Sequence, residues 1–154
     1  MHQTRYSKLT KEQKSLLDSA EKVMQNAYSP YSNFCVGSAV LTSNGLHFVG
    51  VNVENASYGG TVCAERSAIL NANSNGNRKI VALAVIAKGK DFDCIDPTAP
   101  CGFCRQVIFE FSQISGVDIE VFFSNTKKDK IIVTKISELL PLAFGPKDLN
   151  VSVC

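Results

Sequence analysis

The chain has 154 residues, a formal net charge of +2 at pH 7, 45% hydrophobic and 19% charged residues, a composition that excludes a disordered or fibrous chain. Its length suits a single domain spanning 1–154 with a sizeable core. So small a net charge, with Lys127, Lys128 and Lys130 reading as one solvated turn, argues against a nucleic-acid groove, and no apolar run approaches the roughly 18 residues of a membrane helix.

Along the chain, the opening M-H-Q-T-R-Y-S-K lacks the apolar core of a signal peptide, so a cytoplasmic, reducing location is expected. Thr10-Lys11-Glu12-Gln13 has the spacing of a capping box, and Leu16, Leu17, Ala20, Val23, Met24 and Ala27 recur at helical intervals; together they predict an amphipathic helix. After the turn-rich 28–33, the segments 34–42 and 46–53 flank Ser43-Asn44-Gly45 as strands of a hairpin. A second helix is predicted from near Cys63 to before Asn73, and 80–87 as a strand buried on both faces. Pro100 introduces a third helix over 101–112. Strands over 117–123 and 130–134 follow, antiparallel because their link is short, then a short helix opening at Ser137 and ended by Phe144-Gly145-Pro146. This order predicts an α/β fold, a three-layer helix-sheet-helix sandwich around a mixed five-stranded sheet.

Cys63-Ala64-Glu65 and Pro100-Cys101-Gly102-Phe103-Cys104 place three thiols and one carboxylate in two compact clusters. In a reducing compartment such spacing points to metal or redox chemistry rather than to structural disulfides. Three sulfurs leave one tetrahedral position of zinc open, whereas a structural site is closed by a fourth ligand. Both clusters are predicted at helix N-termini, where partial positive charge favours thiolate. Zinc lowers the pKa of bound water from about 15.7 toward about 7, and Glu65 is the candidate to move that water's protons. Three thiolates overcompensate the charge of the metal, so a neighbouring group that withdraws charge is expected. Asn52 and Glu54 fall on one side of a strand end by period two, and an amide beside a carboxylate suits a ribose diol. Cys35, Cys94 and Cys154 have no such neighbours and read as ordinary thiols.

Four blocks in order, F-C-V-G-S-A at 34–39, N-V-E-N-A-S-Y at 52–58, C-A-E-R at 63–66 and P-C-G-F-C-R-Q at 100–106, resemble the small homotetrameric cytidine deaminases over roughly 9–146, within the wider class of zinc deaminases. The resemblance implies one Zn2+ per subunit held by Cys63, Cys101 and Cys104, with Glu65 catalytic and Arg66 hydrogen-bonding the ligand sulfurs. It implies Phe34 as an aromatic wall near the base, Asn52 and Glu54 on the 3'-hydroxyl, and Ala64 among the substrate contacts. Ala56 and Tyr58 match positions that a neighbouring subunit contributes, and Phe144 matches a phenylalanine that crosses an interface to cover the base. The implied activity is hydrolytic deamination of cytidine and 2'-deoxycytidine to uridine and 2'-deoxyuridine with release of ammonia, in pyrimidine salvage. A homotetramer with shared active sites is implied as well. Gly59-Gly60-Thr61 departs from the proline-containing stretch frequent in the family, as do Cys35 and Ser38 from its usual residues; the first puts substrate preference in doubt.

Other readings stay open at this point. A deaminase of another cytosine nucleoside analogue, of the blasticidin type, shares the metal and the glutamate. From a different class, C-x-x-C at a helix N-terminus suits a thiol redox protein, although Cys63 and Glu65 are then unexplained. A zinc-stabilised binding module needs a fourth ligand, from Cys94, His47 or elsewhere.

Overall fold

The computed structural model describes residues 1–153, and Cys154, read above as an ordinary thiol, lies outside them. The described residues form strands His2–Thr4 (β1), Phe34–Thr42 (β2), His47–Val51 (β3), Ile80–Gly89 (β4), Glu120–Ser124 (β5) and Ile131–Lys135 (β6). The helices are Lys11–Met24 (α1), Ala64–Ser74 (α2), Gly102–Ser115 (α3) and the single turn Ile136–Leu139 (α4).

β4 organises the layers because its side chains are apolar on both faces. Leu83 and Val85 enter one core with α2, α3 and α4 residues, whereas Ala82, Ala84 and Ile86 enter the other with α1 residues, as the period of two requires. β4 pairs antiparallel with β2 and parallel with β5, while β5–β6 and β2–β3 are antiparallel. The result is the predicted helix-sheet-helix sandwich, in the strand order β1-β6-β5-β4-β2-β3.

The sheet has six strands, not five. The added β1 pairs His2 with Val133 and Thr4 with Ile131, and the Met1 amino group meets Glu138 at 2.5 Å. Its three residues show no apolar alternation, so main-chain pairing to an open sheet edge holds it, a feature no side-chain pattern reports. A second correction concerns 127–130. Lys128 is not simply solvated: its Nζ lies 3.2 Å from Asp18 and 2.7 Å from Glu21, and 4.7 Å from the centre of the Tyr6 ring, tying the β5–β6 turn to α1.

Thr10 accepts a hydrogen bond from Gln13 N while the Gln13 side chain accepts one from Thr10 N, so the predicted capping box starts α1. Leu16, Leu17 and Ala20 are then buried against the sheet. Two glycines let helices lie close to it. A Cβ on Gly37 would stand 2.0 Å from Ala20 O, and one on Gly50 would stand 2.2 Å from Ala68 N and 2.7 Å from Ala64 O. Gly50 therefore sets the seat of α2, which carries Cys63 and Glu65 at its start. Gly50→Ala is expected to lower stability by about 1–3 kcal/mol, the usual cost of overpacking. A urea midpoint unchanged from wild type would show that α2 is not seated this way.

Candidate active site

α2 and α3 each begin with a cysteine. Cys63 and Cys101 are the N-cap residues, in extended conformation, and neither side chain makes a capping hydrogen bond, which leaves both sulfurs free to face a shared space. Cys104, one turn into α3, is buried, as the i, i+3 spacing places it on the side of Cys101. The three sulfurs lie within 4.8 Å of one another, and Cys63 Sγ is 3.9 Å from Cys101 Sγ.

Those distances fit zinc. Tetrahedral geometry with Zn–S bonds of ~2.3 Å puts sulfurs about 3.8 Å apart, so little movement is required, and soft thiolates are the donors zinc prefers. Among the described residues neither Cys94 nor His47 joins the group, so no fourth protein ligand closes it.

The electrostatics prepare the sulfurs for a cation. A hydrogen bond from Cys104, followed by those from Arg66 and Cys101, holds the Cys63 thiol down to about 5 against the opposing effect of burial. The same hydrogen bond and burial push Cys104 up. A divalent cation bound there would take the place of thiol protons. Arg66 Nη2 donates to Thr61 O at 2.8 Å and approaches Cys63 Sγ at 3.8 Å, and so bears on the sulfur charge. Glu65, on the first turn of α2, is only 5% exposed. Burial is the main cause that raises its carboxyl, and the negative charge on Cys63 adds to it.

The remaining candidates fall into two groups. Asn52 is buried; its Oδ1 accepts from Val36 N at 2.9 Å and its Nδ2 donates to Phe34 O at 2.8 Å. It thereby clamps the start of β2, where Phe34 sits. Glu54 accepts from Tyr31 N at 2.9 Å, from Ser32 N at 3.2 Å and from the Ser32 hydroxyl. The Ser32 hydroxyl is the largest influence holding its carboxyl below the usual range. Tyr31, Ser32, Glu54, Tyr58 and Thr61 line an open cleft of about 350 Å³, and Tyr58 meets Tyr31 edge-on at 5.9 Å. Ala64 is fully buried, Ala56 is exposed, and Phe144 is 59% exposed. The Phe144 carbonyl is held by Gln106 Nε2 at 2.8 Å, two residues beyond Cys104. Gly59-Gly60-Thr61 closes a 3-10 turn, with Gly60 N donating to Ser57 O at 2.8 Å and Thr61 N to Tyr58 O at 3.1 Å.

Three contributors escaped the sequence reading. Arg105 donates to Pro100 O at 2.8 Å and Leu139 O at 3.2 Å, fixing the loop before α3. Phe92 stacks on Phe34, with ring centres 6.4 Å apart. Phe103 lies under the Arg66 guanidinium. Arg105 and Phe103 carried a sequence signal, their places on either side of Cys104 in the block at 100–106, whereas Phe92 carried none.

An open site of three sulfurs beside a buried acid is that of a zinc hydrolase rather than of a closed structural centre. Comparison with known proteins agrees. Residues 10–120 match the family model described as the cytidine and deoxycytidylate deaminase zinc-binding region. A cytidine deaminase of Halalkalibacterium halodurans is 44% identical over 135 residues, 88% of this chain and 96% of that protein. A probable cytidine deaminase of Dictyostelium discoideum is 41% identical, over 86% of this chain and 84% of its own. The crystal structure of cytidine deaminase from Burkholderia pseudomallei superposes with a TM-score of 0.76 at 41% identity, covering 88% of this chain and all of that one. The chain belongs to the cytidine deaminase family, and it is a hydrolytic deaminase of the zinc-binding type.

Proposed function

We propose that residues 1–154 act as one domain that deaminates cytidine and 2'-deoxycytidine to uridine and 2'-deoxyuridine, releasing ammonia, in pyrimidine salvage. The single observation that carries this reading is the convergence of Cys63, Cys101 and Cys104 at ligating distances beside the start of α2, where Glu65 is buried. Cys63, Cys101 and Cys104 are the ligands. When bound, zinc supplies the Lewis acidity that makes hydroxide available near neutral pH.

Glu65 performs the proton transfers. It accepts the proton of the attacking water as the C–O bond forms at C4, and delivers it to the adjacent ring nitrogen. It then takes the remaining proton from the new C4 hydroxyl and passes it to the exocyclic amine; the C4 carbonyl forms as the C–N bond breaks and ammonia leaves, so that atoms and charge balance. A carboxyl raised by burial is suited to this, because proton exchange is most efficient when the group's pKa lies near the working pH.

Asn52 and Glu54 hold the sugar, Phe34 walls the base, and Ala64 adds a contact. Asn52 is committed to Phe34 O and Val36 N, so part of its role is to fix the β2 start against which the nucleoside rests. Ala56, Tyr58 and Phe144 serve a neighbouring subunit's site in a cytoplasmic homotetramer. Their exposure and the openness of the cleft support shared walls, since a ligand site usually buries most of its ligand. No described helix is long and apolar enough to cross a membrane.

A panel of cytidine, 2'-deoxycytidine, free cytosine, cytidine 5'-monophosphate and blasticidin S, followed by ultraviolet absorbance and ammonia release, tests the substrate class. Both nucleosides are expected to exceed the base and the nucleotide by about tenfold or more in kcat/KM, the factor about 1.4 kcal/mol of lost contact supplies. Turnover confined to blasticidin S would overturn the reading. Glu54→Gln is expected to raise KM more than it lowers kcat, because it touches the sugar side and not the reacting atoms; an effect on kcat alone would remove Glu54 from substrate binding.

A further inference from the structure

Phe103, on the first turn of α3, directly precedes Cys104 and is 66% exposed. So large an apolar side chain in water contributes little to the core, and it makes an unusual contact: the Arg66 Cζ stands 4.5 Å from the centre of its ring. Arg66 belongs to α2, Phe103 to α3. The contact therefore joins the two helices that each carry part of the sulfur cluster.

Arg66 needs such a partner. Its Nη2 reaches Thr61 O and Cys63 Sγ, but its Nε is buried without a hydrogen-bond partner, alone in this among the side-chain atoms of the described residues. A long, flexible cation tied by one nitrogen would otherwise exchange the sulfur for water, since arginine side chains carry about 2 kcal/mol of rotamer entropy. An aromatic face under the planar guanidinium restrains it without competing for its donors, and attracts it through the ring quadrupole.

We propose that Phe103 is a positioning residue: its ring holds the Arg66 guanidinium on the Cys63 sulfur and so sets how much charge that sulfur donates to the metal. This rests on the reading of Cys63 as a metal ligand. Without the ring, Arg66 leaves the sulfur more often, the thiolate becomes more electron-rich, and the metal becomes a weaker Lewis acid.

Cobalt substitution reads this directly, because the sulfur-to-cobalt charge-transfer band moves to longer wavelength as the sulfur becomes more electron-rich. Zinc-exchanged, cobalt-loaded wild type, Phe103→Leu, Phe103→Tyr, Arg66→Gln and the Phe103→Leu/Arg66→Gln pair are compared. Phe103→Leu keeps the apolar cover and removes the ring face; it is expected to shift the band to longer wavelength, as Arg66→Gln does. Phe103→Tyr restores the wild-type band, and Phe103→Leu adds no shift in the Arg66→Gln background. In the zinc enzymes the acid limb of the kcat profile moves to higher pH in Phe103→Leu and in Arg66→Gln, and stays in place in Phe103→Tyr. An unshifted band in Phe103→Leu beside a shifted one in Arg66→Gln would overturn the role of Phe103 alone. No charge-transfer band in wild type would overturn the ligand assignment, and this inference with it.

Discussion

Glu65→Gln is expected to fold, to keep one zinc per chain and to lose turnover of cytidine by about 10²–10⁴-fold, the range that a positioned proton donor and acceptor contributes. The amide conserves volume at a position only 5% exposed on the first turn of α2, so packing against the sheet is preserved. What disappears is the group that titrates. Zinc content by atomic absorption, a thermal melt and the absorbance assay on one preparation separate these effects. Near-normal turnover in a folded, zinc-replete Glu65→Gln enzyme would exclude Glu65 as the proton carrier.

Cys101→Ala tests the metal rather than the proton path. Cys101 is exposed, whereas Cys104 is 1% exposed. Removing the Cys101 sulfur therefore leaves no cavity, and any stability change reports metal binding rather than packing. The variant is expected to fall from one zinc per chain to a small fraction of that, with no measurable deamination. Its loss of stability is the binding linkage, about 2.7 kcal/mol when free zinc stands at 100 times the wild-type dissociation constant. A chelator should lower the wild-type melting temperature toward that of Cys101→Ala and leave the variant unchanged. Full zinc content in Cys101→Ala would show that the metal sits elsewhere.

The layering was legible because its causes are local. Ile80 to Ala87 is apolar at every second residue on both faces, Thr10 and Gln13 cap α1, and Cys63 and Cys101 open helices where a helix start tolerates a side chain turned outward. β1 was hidden because edge pairing by main chain leaves no mark in three polar residues, two of them exposed. Lys128 was misread for a related reason: the Lys127-Lys128-Asp129-Lys130 run looks solvated in one dimension, and only the tertiary approach of Asp18 and Glu21 recruits one of its cations.

In the site, spacing brought Cys101 and Cys104 together, but the approach of Cys63 across 38 residues depends on the seating of α2 at Gly50. The quoted blocks made that pairing legible. The bonds that Asn52 makes to Phe34 O and Val36 N, the stack of Phe92 on Phe34, and the contact of Phe103 with Arg66 join residues distant in sequence, with no periodicity to announce them. The thiol redox reading loses its basis here, because Cys63 belongs to the same cluster as the C-x-x-C pair and a dithiol exchange centre has no use for a third sulfur.

The most direct measurement is conversion of cytidine by the purified, zinc-containing protein, with product, ammonia and zinc quantified together. Uridine and ammonia formed in equal amounts by a chain carrying one zinc is the predicted result. A protein that carries one zinc per chain and leaves both cytidine and 2'-deoxycytidine unchanged would contradict the account.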